Sequence, residues 1–234
     1  MKIIIDEISV VNKLVAKEII DCVRNKPNAV LGLATGSTPL GIYKNLVEDH
    51  VKNKTDYSKV TTFNLDEYVG LHPEHEQSYH TYMRQNLFDH INIDLKNTNF
   101  PDLDNPKAYT KLIKQKPIDL QILGVGSNGH IAFNEPFTSF DSETDYVTLA
   151  ESTINDNKRF FNSIDDVPKQ AVTMGLKDIM SAKKIIIIAF GENKAEAINE
   201  LVNGKQDEAW PVTILQRHHD VTVYLDKKAA SLLE

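Results

Sequence analysis

Three short blocks of the sequence combine glycine with side chains that can bind an anion or move a proton. Each block follows directly on a short aliphatic run of the kind that forms a buried strand. In parallel α/β sheets, ligands bind beyond the carboxyl ends of the strands, so chemistry is expected where these runs end. The blocks are residues 33–40 (LATGSTPL), 63–70 (FNLDEYVG) and 123–136 (LGVGSNGHIAFNEP).

The first block predicts a site for a phosphate group. Residues 35–39 (TGSTP) place a glycine turn and three hydroxyl groups between a strand and a helix, with Pro39 at the expected helix start. Backbone N–H groups at a helix N-terminus bind phosphate dianions, and the hydroxyls add further donors. The block matches neither the P-loop pattern nor the dinucleotide-binding glycine pattern. The alternative is an ordinary helix N-cap at Ser37 or Thr38.

The second block supplies two adjacent carboxylates, Asp66 and Glu67, at the end of a strand. Neighbouring side chains of a strand point to opposite sides, so only one of the two can face a given pocket. A carboxylate in a water-poor crevice is a candidate general base, because desolvation raises its pKa. The alternative is an acidic pair at a helix start or on the surface.

The third block places a histidine directly after a glycine-rich turn. The turn contains Gly124, Gly126 and Gly129, which let the backbone approach a ligand closely. His130 follows at once, and Glu135 lies five positions later, near enough to orient the ring or to tune its charge. The arrangement predicts an acid–base histidine, and the alternative is a histidine with a purely structural role.

Two cations are candidates for pairing with the anion. Lys194 follows the aliphatic run 184–190, which places it at the ligand edge of the sheet, and Arg159 lies in a polar stretch. An ordinary solvated charge is the alternative for both. A further cluster, 72–76 (HPEHE), has the residue types of a zinc site but not the H-E-x-x-H helix spacing, and its proline breaks a helix. No metal site is therefore predicted there.

The elements that must position these residues alternate between two periods. Aliphatic runs that are apolar on both faces alternate with stretches of helical spacing at 11–23, 40–51 and 195–202. This predicts an α/β fold, an open doubly wound, mostly parallel sheet with helices on both faces in a three-layered Rossmann-like arrangement. We expect a long connection at 92–106 and a single domain over 1–234. The predicted strands are 2–5, 29–34, 60–65, 118–124, 184–190 and 221–225.

The composition is that of an ordinary globular protein. Of 234 residues, 26 are Lys or Arg and 33 are Asp or Glu, for a formal charge of −7, which argues against nucleic acid or an anionic membrane as the main partner. The single cysteine, Cys22, excludes an internal disulfide and is predicted to be a buried small hydrophobe. The chain opens without a secretory leader pattern, and its longest aliphatic run, 185–190, is too short to span a bilayer. We expect a cytoplasmic protein.

Residues 35–39, 64–71 and 129–136, in this order and spacing along essentially the whole chain, closely resemble glucosamine-6-phosphate deaminases. The last two blocks are specific to that family, whereas the first is shared with the related 6-phosphogluconolactonases. The resemblance implies conversion of glucosamine 6-phosphate and water into fructose 6-phosphate and ammonia, by ring opening, aldose–ketose isomerisation through an enolamine, and deamination. It implies no metal and no organic cofactor, because the substrate's own nitrogen supplies the electron sink.

The resemblance also assigns roles to residues of this chain. It implies that Asp66 moves a proton from C2 to C1 and that His130 handles the proton between the ring oxygen and the anomeric hydroxyl. Glu135 would support and orient His130, and Asn128 would be an orienting residue that accepts a hydrogen bond from the imidazole. The implied phosphate-binding residues are Thr35, Gly36, Ser37, Thr38, Arg159 and Lys194.

The chain departs from the well-studied branch of the family at two points. Asn128 stands where that branch has an aspartate, so we expect Glu135 alone to supply the negative charge near His130. Residues 137–148 contain no Lys or Arg, where the allosteric hexameric branch binds an N-acetylated sugar phosphate. We therefore expect an unregulated monomer with hyperbolic kinetics, and a mobile lid over about 148–171.

Two alternative functions fit part of the pattern. A 6-phosphogluconolactonase would share the phosphate turn and a Gly-His motif, but would not require residues 133–136 (FNEP) or Asp66. A sugar-phosphate-sensing domain of a transcription regulator could keep the turn, lose Asp66 and His130, and add a basic pair of DNA-binding helices. This chain keeps both residues, and its strand pattern begins at residue 2.

Overall fold

The computed structural model describes residues 1–158, 161 and 163–233, with the backbone alone at 152, 156 and 157. The strands are β1 (Lys2–Ile5), β2 (Val30–Leu33), β3 (Thr61–Asn64), β4 (Asp66–Tyr68), β5 (Thr98–Asn99), β6 (Leu120–Leu123), β7 (Asp145–Thr148), β8 (Gln170–Thr173), β9 (Ile185–Ala189) and β10 (Val221–Leu225). The helices are α1 (Ile8–Asn25), α2 (Leu40–Asn53), α3 (Tyr79–Asn86), α4 (Pro106–Gln115), α5 (Glu151–Asn157), α6 (Leu176–Ile179) and α7 (Ala195–Asn203).

Seven strands form one sheet that is parallel throughout. Its order is β1-β10-β9-β6-β2-β3-β5, and each pair of neighbours runs in the same direction. Every residue of β2, β3, β6, β9 and β10 is buried, which explains why all of them except β3 (TTFN) are largely apolar on both faces. The predicted open, mostly parallel α/β sheet with flanking helices is confirmed.

All six predicted strands lie in this sheet, and the structure changes two details. β1 is an edge strand with one neighbour, so Ile3 and Ile5 are exposed and the prediction that it is covered on both faces is wrong. The segment 92–106 is not a continuous loop, because Leu95–Asn97 forms a 3₁₀ turn and β5 then closes the opposite edge of the sheet. A two-residue strand is too short to leave a periodic signal in the sequence.

The helix next to the first strand follows its predicted apolar face. Val11, Val15, Ile19 and Val23 of α1 are buried, and the helix ends at Asn25, before the proline. Cys22 is half-buried at the margin of that face, which corrects the prediction of a buried thiol. No helix in the described parts of the chain combines the length and the apolar character that crossing a lipid bilayer requires.

The order in which strands are added reverses between β2 and β6. From β2 the chain continues to β3 and β5 at one edge, and β6 then returns to the other side of β2, followed by β9 and β10. At such a reversal the loops that leave two neighbouring strands diverge and open a crevice. The first and third sequence blocks leave β2 and β6, so they lie on either side of this crevice.

A small antiparallel sheet, which the sequence analysis did not predict, carries the second block. Its order is β4-β8-β7, and Asp66 of β4 lies opposite Thr173 of β8. The strands have three or four residues, and β4 and β7 are rich in polar side chains (DEY and DYVT). The pairing of β4 with β8 joins residues about 100 positions apart along the chain, so local propensity could not reveal it.

One buried carboxylate joins this small sheet to the helices. Oδ2 of Asp178, in α6, accepts hydrogen bonds from the backbone N–H and the hydroxyl of Thr144 at 2.7 and 2.8 Å. It also accepts one from the hydroxyl of Thr110 in α4 at 2.6 Å. Thr144 directly precedes β7, and all three residues are buried. The contact therefore fixes where the small sheet begins.

Replacing this carboxylate should destabilise the protein. Asp178→Ala leaves the buried hydroxyls of Thr110 and Thr144 without this acceptor, and we expect a loss of about 2–4 kcal/mol in the free energy of unfolding. Urea unfolding followed by circular dichroism measures it. The control is Asp21→Ala, which removes an exposed ion pair with Lys17 and should change stability by less than about 0.5 kcal/mol. Equal effects of the two substitutions would contradict the prediction.

Candidate active site

A polar cavity of about 210 Å³ opens at the carboxyl ends of the parallel strands. It lies at the reversal between β2 and β6, where the chain order predicts a ligand site. Seven of the predicted catalytic and phosphate-binding residues line this cavity, from four separate parts of the chain. They are Thr35, Gly36, Ser37, Thr38, Asp66, His130 and Lys194.

The turn after β2 forms one wall of the cavity. Gly36 has a φ of +86°, a left-handed conformation that favours glycine. Two tyrosine hydroxyls hold the turn, because Tyr43 donates to the carbonyl of Ala34 and Tyr82 to the carbonyl of Gly36, each at 2.5 Å. These bonds satisfy carbonyl groups that would otherwise repel an anion, and leave the wall rich in donors.

The hydroxyls of this turn are not used as helix caps. Pro39 is the N-cap residue of α2, and among the described residues no side chain caps that helix. The interpretation of Ser37 or Thr38 as an ordinary N-cap is therefore wrong. Both side chains instead border the cavity, where their hydroxyls can donate to a bound oxyanion.

Asp66 and Glu67 point in different directions, as expected for adjacent residues of a strand. Asp66 borders the cavity although it is only 6% exposed, whereas Glu67 points away from it and accepts hydrogen bonds from the backbone N–H groups of Tyr68 and Tyr79. Burial, reinforced by the negative charge of Glu67, raises the pKa of Asp66 to about 8. The carboxyl group can therefore take up and release a proton near neutral pH.

His130 depends on two glycines for its position. A Cβ atom on Gly126 would lie 2.3 Å from Cε1 of the His130 ring, so only glycine fits beneath the imidazole. The backbone N–H of Gly126 donates to the carbonyl of His130 at 2.8 Å, which closes the turn. Gly129 has a φ of +81°, and a Cβ atom there would lie 2.7 Å from the ring of Trp210. The glycine-rich turn thus brings the histidine close to backbone and to an aromatic neighbour.

Behind the histidine lies Glu135, which does not itself border the cavity. Its Oε2 is 3.5 Å from Nδ1 of His130, a charge interaction rather than a close hydrogen bond. The hydroxyl of Thr153 donates to Oε1 at 2.5 Å, and Nδ2 of Asn128 donates to Oε2 at 2.8 Å. Burial raises the pKa of Glu135, but the His130 imidazole and these two hydrogen bonds outweigh it and hold the pKa at about 2.

Asn128 orients the carboxylate and not the ring. Its Oδ1 accepts a hydrogen bond from the backbone N–H of His130 at 3.2 Å, while its amide donates to Glu135. Oδ1, which is able to accept a hydrogen bond from an imidazole, is bonded to the main chain instead. A side-chain oxygen that accepts from the backbone N–H two residues later is a local pattern common for asparagine.

Of the two predicted cations, one lies within the described part of the chain. Lys194 borders the cavity, at the end of a 3₁₀ turn that begins after Gly191. The backbone N–H of Gly191 donates to Oδ1 of Asp226 at 3.0 Å, which anchors this turn to the end of β10. Arg159 lies outside the described residues.

The sequence analysis missed two polar residues that border the cavity. Tyr79, at the start of α3, is hydrogen-bonded to the side chain of Thr35, and burial raises its pKa well above the ordinary tyrosine value. Thr153 reaches the cavity from α5. Neither residue stands in a glycine-rich block or beside an aliphatic run, so no local signal pointed to them.

The remaining polar clusters make local contacts. Nδ1 of His72 accepts from the backbone of Glu74, and Nδ1 of His75 accepts from the backbone of Gln77, so both rings serve turns on the surface. Within the described residues, no three His, Cys, Asp or Glu side chains are placed to hold a metal ion.

Taken together, the cavity has an anion-binding end and an acid–base end. The turn 35–38 and Lys194 favour an anion, while Asp66 on β4 and His130 in the turn after β6 face the same space. Such a division allows a remote charged group to fix a substrate while protons move at its other end.

Comparison with known families agrees with this geometry. The sequence pattern described as glucosamine-6-phosphate isomerases/6-phosphogluconolactonase matches residues 7–224. A protein named glucosamine-6-phosphate deaminase from Thermoanaerobacter sp. (strain X514) is 54% identical over 218 residues, which cover 90% of this chain and 86% of the relative. One of the same name from Mycoplasma mycoides subsp. mycoides SC is 51% identical over 239 residues, covering 100% and 98%.

Solved structures of two kinds share the fold. A monomeric glucosamine-6-phosphate deaminase superposes with a TM-score of 0.96 at 42% identity, covering 99% of this chain and 100% of the other. The 6-phosphogluconolactonase from Trypanosoma brucei superposes with a TM-score of 0.81 at 18% identity, covering 100% and 98%. The second likeness is one of fold alone.

The buried Asp66 should reduce the stability of the protein at neutral pH. Its pKa is about 8 in the folded protein against an ordinary value of 3.8, so between these values the folded state holds a proton that the unfolded state has lost. Stability therefore falls as pH rises through this window. We expect Asp66→Asn to stabilise the protein by about 1–3 kcal/mol more at pH 8 than at pH 5.

Urea unfolding of both proteins at the two pH values measures this difference. The control is Asp141→Asn, since Asp141 is exposed, and the gain there should not depend on pH. A pH-independent effect of Asp66→Asn would show that the carboxyl group is ionised in the folded state and would contradict the prediction.

Proposed function

The chain belongs to the family of glucosamine-6-phosphate isomerases and 6-phosphogluconolactonases, and we propose that it converts glucosamine 6-phosphate and water into fructose 6-phosphate and ammonia. The observation that carries this choice is the buried Asp66, whose raised pKa suits a base that takes a proton from carbon. Hydrolysis of a lactone requires no such base. Relatives more than half identical to this chain carry the deaminase name.

The phosphate group of the substrate binds at the turn after β2. Thr35, Ser37 and Thr38 supply hydroxyl donors there, Gly36 lets the backbone come close, and Lys194 supplies a positive charge from the opposite loop. Binding the dianion at this end directs C1 and C2 of the sugar towards Asp66 and His130. Arg159, outside the described residues, is assigned to the phosphate by resemblance alone.

His130 opens the sugar ring. It transfers a proton between the anomeric hydroxyl and the ring oxygen, which frees the aldehyde at C1. Glu135 lies behind the ring, and its pKa of about 2 keeps it negatively charged throughout the working range. A fixed negative charge favours the protonated imidazole that forms during this transfer, as in other histidine–carboxylate pairs.

Asp66 then isomerises the open chain. The carboxylate removes the proton from C2, the C1 carbonyl oxygen takes up the electron pair together with a proton from the substrate's own ammonium group, and an enolamine forms. Return of the proton at C1 produces an iminium group at C2, and water adds to that carbon. The C–N bond breaks, ammonia leaves, and the new C2 carbonyl is that of fructose 6-phosphate. One base on one face of the substrate suffices for both proton transfers.

Five further statements belong to this proposal. Residues 1–234 act as one catalytic unit, and the segment of about 148–171 is a lid, supported by the bond from Thr153 to Glu135. The protein is a monomer located in the cytoplasm, in line with the solved relative described as monomeric. Its kinetics are hyperbolic, because 137–148 offers no Lys or Arg to an anionic effector.

The first test is a coupled assay with glucosamine 6-phosphate and no added metal. Ammonia and fructose 6-phosphate should appear in equal amounts, and Asp66→Asn should lower kcat by at least about 1,000-fold, because an amide cannot accept the C2 proton. Asp141→Asn is the control. Turnover of 6-phosphogluconolactone instead would assign the chain to the lactonases, and binding without turnover would favour a sensor.

The pH dependence of kcat/KM should reveal Asp66 directly. The base must be ionised to act, and its pKa in the empty site is about 8, so kcat/KM should fall about tenfold per pH unit below that value. The ammonium group of the bound substrate favours the ionised form of Asp66, so the acid limb of the kcat profile should lie at lower pH than that of kcat/KM. Coincident limbs in kcat and kcat/KM would contradict this assignment.

Asn128→Asp should move another part of the pH–rate profile. The substitution places a second carboxylate at the 2.8 Å contact with Glu135, and the added negative charge holds a proton at this site to higher pH. The limb of the pH–rate profile that reports the His130–Glu135 pair should therefore shift to higher pH by about one unit. Asn128→Ser, which removes the donor without adding charge, should lower kcat and leave the limb in place. A profile unchanged in Asn128→Asp would refute the expectation.

A further inference from the structure

Glu67, the neighbour of the proposed base, is almost fully buried and surrounded by hydrogen-bond donors. Its side chain is 2% exposed. Oε1 accepts from the backbone N–H groups of Tyr68 at 2.8 Å and Tyr79 at 3.1 Å. Oε2 accepts from the backbone N–H of His80 at 3.1 Å and lies 2.8 Å from Nδ1 of the same histidine. Three backbone N–H donors and an imidazole nitrogen thus surround the two carboxylate oxygens.

These contacts determine the position of Asp66 as well. The two residues share a peptide bond in β4, and β4 pairs with β8 at Asp66 and Glu67 in succession. Through Glu67, the strand is also bonded to the first turn of α3, where Tyr79 and His80 donate their backbone N–H groups. The backbone that carries the base is thus held from a sheet on one side and a helix on the other.

The imidazole of His80 is in contact with this carboxylate, and it is itself held in place. Its ring stacks on Phe100, with 3.7 Å between the centroids and 23° between the planes. The His80 side chain is 35% exposed and lines a surface pocket of about 370 Å³, together with Arg84 and Phe88. His80 therefore lies between solvent and the buried carboxylate of Glu67, the residue next to the proposed base.

We propose that Glu67 and His80 are positioning residues for the reaction. Glu67 keeps a fixed negative charge beside Asp66 and anchors the backbone that carries this base, and His80 anchors the side chain of Glu67. The proposal rests on the proposed function, because it concerns the same base. Neither residue touches the substrate cavity in this arrangement. Their effect on the chemistry passes through Asp66.

The charge of Glu67 makes Asp66 a stronger base than burial alone would. Burial and the charge of Glu67 act in the same direction on the Asp66 carboxyl group, and both favour its protonated form. The other titratable groups around the two carboxylates lie on several elements. They are Tyr68 on β4, Tyr79 and His80 on α3, Tyr109 on α4, and His130 and Lys194 across the cavity.

Two substitutions of Glu67 separate its charge from its packing. Glu67→Gln removes the charge and keeps the length, so the acid limb of kcat/KM should move by about one pH unit to lower pH, since Asp66 then ionises more easily. Glu67→Asp keeps the charge but is too short to reach α3, so kcat should fall while the limb stays at its wild-type pH. A limb that does not move in Glu67→Gln would overturn the proposal.

The histidine is tested separately, in case a buried glutamine prevents folding. His80→Phe keeps the ring stacked on Phe100 but removes the donor, and should lower kcat about tenfold with little change in KM. His80→Asn should restore most of the loss, because its Nδ2 can occupy the place of Nδ1. The control is His90→Phe, at an exposed histidine that contacts only the carbonyl of Gln85. Wild-type kcat in His80→Phe, or no recovery in His80→Asn, would overturn the role of His80.

A measurement without substrate distinguishes failure of this inference from failure of the proposed function. Wild-type protein that releases no ammonia would contradict the proposed function alone. The free energy of unfolding is then measured as a function of pH in proteins with and without Asp66→Asn. The difference between the two curves is the contribution of Asp66. This difference should be smaller in a Glu67→Gln background, because removal of the neighbouring charge lowers the folded-state pKa. Equal differences in the two backgrounds would overturn the inference.

Discussion

Parallel hydrogen bonding of β2 to both β3 and β6 brings the parts of the site together. Parallel strands all end at the same edge, so the turns that leave β2, β3 and β6 meet there although they are far apart along the chain. The crevice forms because the chain reverses its direction of strand addition at β2. The phosphate turn, the carboxylate block and the histidine block each depend on this one geometric constraint.

Two carboxylates of the site are placed in opposite electrostatic environments. Burial and a neighbouring negative charge raise the pKa of Asp66 to about 8, whereas at Glu135 burial is outweighed by the imidazole and two hydrogen bonds, which lower its pKa to about 2. The first can therefore exchange a proton at neutral pH, and the second remains a fixed charge. The same chemical group serves as a base in one place and as a support in the other.

The supporting contacts come from parts of the protein outside the large sheet. The small sheet carries Asp66, α3 holds Glu67, and the hydroxyl of Thr153 on α5 donates to Glu135. On the other side of the cavity, Asp226 anchors the turn that presents Lys194. A rigid sheet edge sets the approximate position of each group, and these shorter elements adjust it, which is how acid–base geometry within a few tenths of an ångström is reached.

The sequence by itself determined the strands of the large sheet and the blocks that follow them, because a strand buried on both faces leaves an unbroken aliphatic run and a ligand-binding turn leaves glycine beside polar residues. It also indicated that only one of Asp66 and Glu67 could face the cavity. Only the tertiary structure decided the small sheet, the contacts of Asn128 and the part played by Tyr79, Thr153 and His80. Those contacts join residues up to about 100 positions apart, and their strength depends on burial and on neighbouring charge, neither of which is encoded in local spacing.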